Sequence, residues 1–162
     1  LKMNISRNIT NKLNTFIPLA FLILIFLQIS IGAFVSGMDA GKIYNSWPLM
    51  GNSYFPDDNK VNNLFEFSAL SDPSLVQFIH RNLAYIIGIF YILIIYKIYK
   101  NKMYELYKSV NYLGIFIILQ IILGIYTVLY GAQIYIASMH QISSIFLVSS
   151  SIYFFYLNTK FN

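Results

Sequence analysis

Four apolar stretches, each long enough to cross a hydrocarbon core of about 30 Å as a helix, decide what this chain can become. They fall at about 16–37, 74–96, 110–130 and 134–156 of 162 residues, with polar segments between them. With 57% hydrophobic and 10% charged residues, the chain is too apolar for a water-soluble domain of this size, so its solvent is the lipid bilayer. The expected fold is an all-α membrane protein: a four-transmembrane-helix bundle formed by 1–162 as one domain, with a single long loop at 38–73.

The net charge of +5 raises the question of nucleic acid, but the basic residues are divided among short segments between apolar runs, and no nucleic-acid partner is expected. Lys2, Arg7, Lys12, Lys97, Lys100, Lys102, Lys108 and Lys160 lie on one side of the four spans. Only Lys42 and Lys60 lie on the other, in a loop that also carries Asp39, Asp57, Asp58, Glu66 and Asp72. Positive charge stays inside, so the loop is expected outside and both termini inside. The polar flank Leu1–Asn14 reads as a cytoplasmic or matrix segment, with no cleavage-type motif after the apolar run that follows.

There are no cysteines, which excludes disulfides, iron–sulfur clusters, thiolate zinc and covalently attached c-type haem. Metal chemistry must then rest on the two histidines, His80 and His140. Asp72-Pro73 supplies a capping residue and a first-turn proline, so His80 is expected about two turns, roughly 10 Å, inside the second span. His140 lies seven residues beyond Gln133, at the start of the fourth span, just as His80 lies seven beyond Pro73. In the topology above the second and fourth helices run the same way, which brings both imidazoles to one depth near the outer surface. That arrangement suits one metal between two helices, with a flat cofactor such as haem filling the gap. Zinc fits poorly, because two histidines leave a further protein ligand unaccounted for. The alternative is that both are packing residues that hydrogen-bond neighbouring helices.

A short internal repeat supports the pairing. LQISIG (Leu27–Gly32) in the first span recurs as LQIILG (Leu119–Gly124) in the third, and each precedes a histidine-bearing helix. Two helical hairpins related by a pseudo-twofold axis would set one histidine on each side of a shared cavity. Gln28 and Gln120, at equivalent points of the repeat, suit interhelical hydrogen bonds better than ligation. Ala84 and Gly88 after His80, and Ser143 and Ser144 after His140, are small residues that would leave room below a ligand or serve close packing. Arg81 and Gln141 directly follow the histidines. A guanidinium at Arg81 can pair with a haem propionate or anchor the helix at the interface. The glycine-, proline- and aromatic-rich stretch after Gly32 describes a folded loop on the membrane surface, and Asp39 within it reads as a turn carboxylate, with a proton relay as its alternative role.

Three stretches in order, GAFVSGMDAGKIYNSWPLMG (Gly32–Gly51), QFIHR (Gln77–Arg81) and SMHQ (Ser138–Gln141), closely resemble the C-terminal half of the haem A synthase family in its mitochondrial and alphaproteobacterial form. Members are eight-span proteins built from two similar four-helix halves, so this chain would be one half of a pseudo-twofold architecture and the C-terminal part of a longer protein. The resemblance implies oxidation of the C8 methyl of haem O to the formyl of haem A, for cytochrome oxidase. It also implies an inner membrane of bacteria or mitochondria as the location. His80 and His140 would be the axial ligands of a haem b, with Arg81 and Gln141 beside it. The N-terminal half, the haem O substrate and a ferredoxin-type electron donor are the implied partners, and a homo-oligomer is compatible with all of this. No acidic residue here stands in the setting of the family's glutamate, which belongs to the other half, so this chain alone is not expected to be catalytic. Two readings of other classes are a standalone bis-histidine membrane cytochrome for electron transfer and a cofactor-free structural bundle.

Overall fold

The computed structural model describes residues 12–160. Most of the expected basic flank Leu1–Asn14 lies outside the described residues. Four helices follow: α1 (Phe16–Gly37), α2 (Pro73–Lys100), α3 (Tyr104–Leu129) and α4 (Ile134–Lys160), with no β-strand among the described residues. All four are long and apolar enough to cross a membrane. α1 packs on α2 and α4, and α3 packs on the same two, so α2 and α4 face one another across the diagonal of a four-helix ring. The tightest pairings are α1 with α2 and α3 with α4, which are the two hairpins the repeat predicted.

α1 starts and stops where its apolar run does, and its 22 residues give about 33 Å, one hydrocarbon core. α2 and α3 depart from expectation, because the segment 97–108 reads as a basic turn and is instead mostly helix. α2 continues to Lys100, the turn is only Asn101–Met103, and α3 starts at Tyr104. The 28 residues of α2 span about 42 Å, so its last turns project beyond the hydrocarbon, where charged residues cost little. The aromatic rings favour the extension: Tyr99 stacks on Tyr107 at 4.2 Å, and Lys100 lies over the Tyr96 ring at 5.4 Å. α4 likewise runs four residues past its expected end, to Lys160. There the buried Asn158 amide donates to Leu13 O at 3.0 Å while its oxygen accepts from Leu13 N–H at 3.1 Å, tying the entry of α1 to the exit of α4.

Between α1 and α2 the loop folds into three short 3-10 turns, Ala40–Lys42, Val61–Phe65 and Phe67–Ser71. It is strapped to α2 by polar side chains. Gln77 Nε2 donates to Tyr44 O at 3.1 Å, Trp47 Nε1 donates to the Tyr85 hydroxyl at 2.9 Å, and Tyr54 donates to Asn82 Oδ1. Tyr54 and Phe55 both meet the ring of Phe78 edge-on. The expectation of a folded loop holds, and Asp39 is the exposed turn carboxylate expected of it, paired with Lys42 at 2.7 Å.

The start of α2 fixes the height of everything after it. Asp72 Oδ1 accepts from Leu75 N–H at 3.0 Å and from Ser74 Oγ at 2.7 Å, and both carboxylate oxygens accept from Asn59 Nδ2. Pro73 takes the first helical position, where a missing N–H costs nothing. Partial burial works to raise the Asp72 pKa, but the hydrogen bonds from Leu75, Ser74 and Asn59 outweigh it and hold the carboxyl below its ordinary value. A carboxyl depressed by folding stabilises the fold above its unfolded value, about pH 3.9, and loses that contribution as pH falls through the folded value. Asp72→Ala should therefore cost about 0.5–2 kcal/mol at neutral pH in detergent unfolding, with the deficit against the parent shrinking below about pH 4. Asp72→Asn, which keeps an acceptor, should retain most of the stability and lose the acid sensitivity.

Candidate functional site

His80 lies seven residues into α2 and His140 six residues into α4, at the end of the bundle where the loop sits. α2 and α4 both begin at that end, so each imidazole lies about two turns into its helix from the same side. They stand on diagonal helices. Each ring leaves its Nδ1 buried with no hydrogen-bond partner.

The elements that seat the rings come from the preceding helix of each hairpin. A Cβ added at Gly32 of α1 would lie 3.1 Å from His80 Cε1, and one added at Gly124 of α3 would lie 3.3 Å from His140 Cε1. Each imidazole therefore occupies space that any other residue would fill. Four residues earlier, Gln28 Nε2 donates to His80 O at 3.1 Å and Gln120 Nε2 donates to His140 O, also at 3.1 Å. The repeat letters Q and G are thus the two fixtures of each histidine: the amide holds the turn and the glycine admits the ring. Gln28 and Gln120 make the interhelical bonds expected of them. Gly32 and Gly124 were not singled out from the sequence, although their place at the end of both repeat copies was the available signal.

The remaining candidates divide. Arg81 is buried and donates from Nη2 to Tyr44 O at 2.8 Å and from Nη1 to Ser46 O at 2.9 Å, with a longer contact to Leu49 O at 3.4 Å. It clamps the loop onto α2, its Nε is buried without a partner, and no carboxylate lies in ion-pair range of it among the described residues. Gln141 is exposed and donates to Ser36 Oγ at 3.3 Å, bridging α4 to α1. Ser143 donates to His140 O at 3.0 Å, Ser144 donates to Gln141 O, and a Cβ on Gly88 would meet open space. A groove of about 360 Å³ lined by Ala33, Phe34, Gly37 and Met38 follows Gly32 along α1. No group of three or more histidine, aspartate or glutamate side chains capable of holding a bare metal ion occurs among the described residues. The two imidazoles are the histidine side chains at that end of the bundle.

Gly32→Ala should displace the His80 ring and leave His140 unmoved, and Gly124→Ala should do the reverse. Alanine adds about 0.5–1 kcal/mol of helix stability, so the fold should survive both changes. With two histidines in the chain, their imidazole NMR resonances read each displacement separately. Unshifted resonances in both variants would show that the glycines do not seat the rings.

Residues 4–152 match the family model COX15-CtaA, described as cytochrome oxidase assembly protein. The haem A synthase of Pelagibacter ubique is 43% identical over 150 residues, covering 93% of this chain and 44% of that protein. The haem A synthase of Rickettsia bellii strain RML369-C is 42% identical over 145 residues, covering 87% of this chain and 43% of its own length. The chain thus spans less than half the length of these curated relatives. No solved structure matches it. With a family match across nearly the whole chain, this protein belongs to the COX15-CtaA family of cytochrome oxidase assembly proteins.

Proposed function

We propose that these four helices are the cofactor-holding C-terminal half of a haem A synthase, with His80 and His140 as axial ligands of one haem b. The observation that carries the reading is the pair of part-buried imidazoles on diagonal helices, each ring seated against a glycine. Two imidazoles at the same end of the bundle, with no carboxylate among the described residues grouped with them, make a donor set that would suit a haem iron, each ring offering the nitrogen that does not carry its proton. A bound haem would supply one-electron chemistry at that position.

The chain's own residues then do the rest. Gln28 and Gln120 hold the two histidine-bearing turns, while the loop strapped over α2 keeps water from the outer end. Arg81 keeps a positive charge beside His80 that no carboxylate of the described residues meets. Its buried Nε–H suits the propionate of such a group, and Gln141 borders the same end. With both histidines taken as ligands, neither would be left to act on substrate or oxygen. Oxidation of the haem O methyl to the formyl of haem A is therefore assigned to the N-terminal half, supplied with electrons by a ferredoxin-type donor. In this reading the chain sits in an inner membrane with the loop outside and the termini inside, an orientation that the distribution of lysines supports.

His80→Ala and His140→Ala should each abolish the six-coordinate, low-spin spectrum of the haem-loaded protein, since each removes one of two iron bonds and opens a cavity to water. An unchanged low-spin spectrum in both variants would sink the ligand assignment. For the topology, a lone thiol at exposed Asn52 should be labelled only from the outer face, and labelling from the inner face alone would reverse it.

A further inference from the structure

The two halves of the repeat are not equal where they meet the histidines. Gln28 and Gln120 occupy matching positions, and each gives one amide N–H to the histidine carbonyl on the next helix at 3.1 Å. Their second N–H groups part company. That of Gln28 faces the His80 ring, with Nε2 to Nε2 at 3.3 Å, whereas that of Gln120 goes to Ser143 Oγ. The divergence traces to one position. Three residues after His140 stands Ser143, whose hydroxyl captures the amide, and three residues after His80 stands Leu83, buried and without a polar atom. With nothing to accept it at Leu83, the Gln28 amide has only the imidazole.

We infer that Gln28 and Gln120 are positioning residues made unequal by the Leu83/Ser143 difference: Gln28 fixes the His80 ring as well as its turn, and Gln120 fixes the His140 turn alone. An amide N–H can only donate, so His80 Nε2 accepts and the proton of the neutral ring sits on Nδ1. His140 carries no such instruction from Gln120. The consequence for a cofactor, that His80 offers a preset ring and His140 an adjustable one, rests on the ligand reading above. The hydrogen-bond pattern does not.

The test uses the cofactor-free protein with ¹⁵N-labelled histidine, where ring nitrogen shifts report the tautomer of each imidazole. Gln28→Met keeps length and bulk and removes both N–H groups, so the His80 tautomer ratio should move about fivefold, the equivalent of one hydrogen bond. Gln120→Met should leave the His140 ratio unchanged. Ser143→Ala removes the competing hydroxyl without added bulk and should swing the Gln120 amide onto the His140 ring, giving it the His80-type signature. Leu83→Ser should divert Gln28 and erase that signature at His80. An unmoved His80 in Gln28→Met, or an unmoved His140 in Ser143→Ala with helix content intact, would overturn the inference. In haem-loaded samples the low-spin electron paramagnetic resonance signal should shift in Gln28→Met and hold in Gln120→Met. If haem does not bind to the parent while the tautomer pattern holds, the cofactor reading falls and the positioning inference stands.

Discussion

Inside a bilayer an unpaired polar group has no water to turn to, and the placement of the polar side chains in this bundle follows from that constraint. Gln28 and Gln120 are part-buried amides on apolar helices, and each sends its N–H groups across to the neighbouring helix of its hairpin, although Gln28 Oε1 stays buried without a partner. In doing so they lock the hairpins in register at one level, the level of the histidines. The glycines one turn later let the imidazoles into the space between helices, so the same two positions of a six-residue repeat fix both the backbone and the ring. Arg81 obeys the same rule by a different route. Its guanidinium, buried near the membrane boundary, is neutralised by no carboxylate among the described residues, and it is paid for by carbonyls of the loop. The loop is thereby drawn down over the end of the bundle where the histidines lie.

Much of this was legible in the chain. The apolar run of α1 matches its helix residue for residue, because a hydrocarbon core and an uninterrupted run leave no choice of ends. Asp72 and Pro73 marked the start of α2 because capping and first-turn proline are local chemistry. From that start and the repeat, the matched depth of His80 and His140 followed. The far ends of α2 and α3 were not legible, since lysine and tyrosine serve equally in a turn and in a helix protruding past the lipid, and the stacking of Tyr99 on Tyr107 that decides between them joins two different helices.

Two features of the site were hidden for a deeper reason. A glycine in an apolar helix has many uses, and only the position of another helix's ring reveals that Gly32 and Gly124 are seats. The partners of Arg81 are backbone carbonyls, which look alike at every position of a sequence. The side chain announced a need for oxygen atoms, and the fold of residues 44–49 determined which ones. The inequality of the repeat halves is of the same kind: Leu83 and Ser143 are unremarkable letters until the Gln120 amide is seen on Ser143 and the Gln28 amide on the His80 ring.

The central claim is that the chain's two histidines hold one iron between them. Because the chain has no others, uniform ¹⁵N labelling of histidine marks only the two candidate ligands, and hyperfine spectroscopy of the low-spin ferric protein can count them. Two labelled axial nitrogens per iron, at one haem per chain, is the predicted result. One labelled nitrogen, or none, at the same stoichiometry would contradict the account.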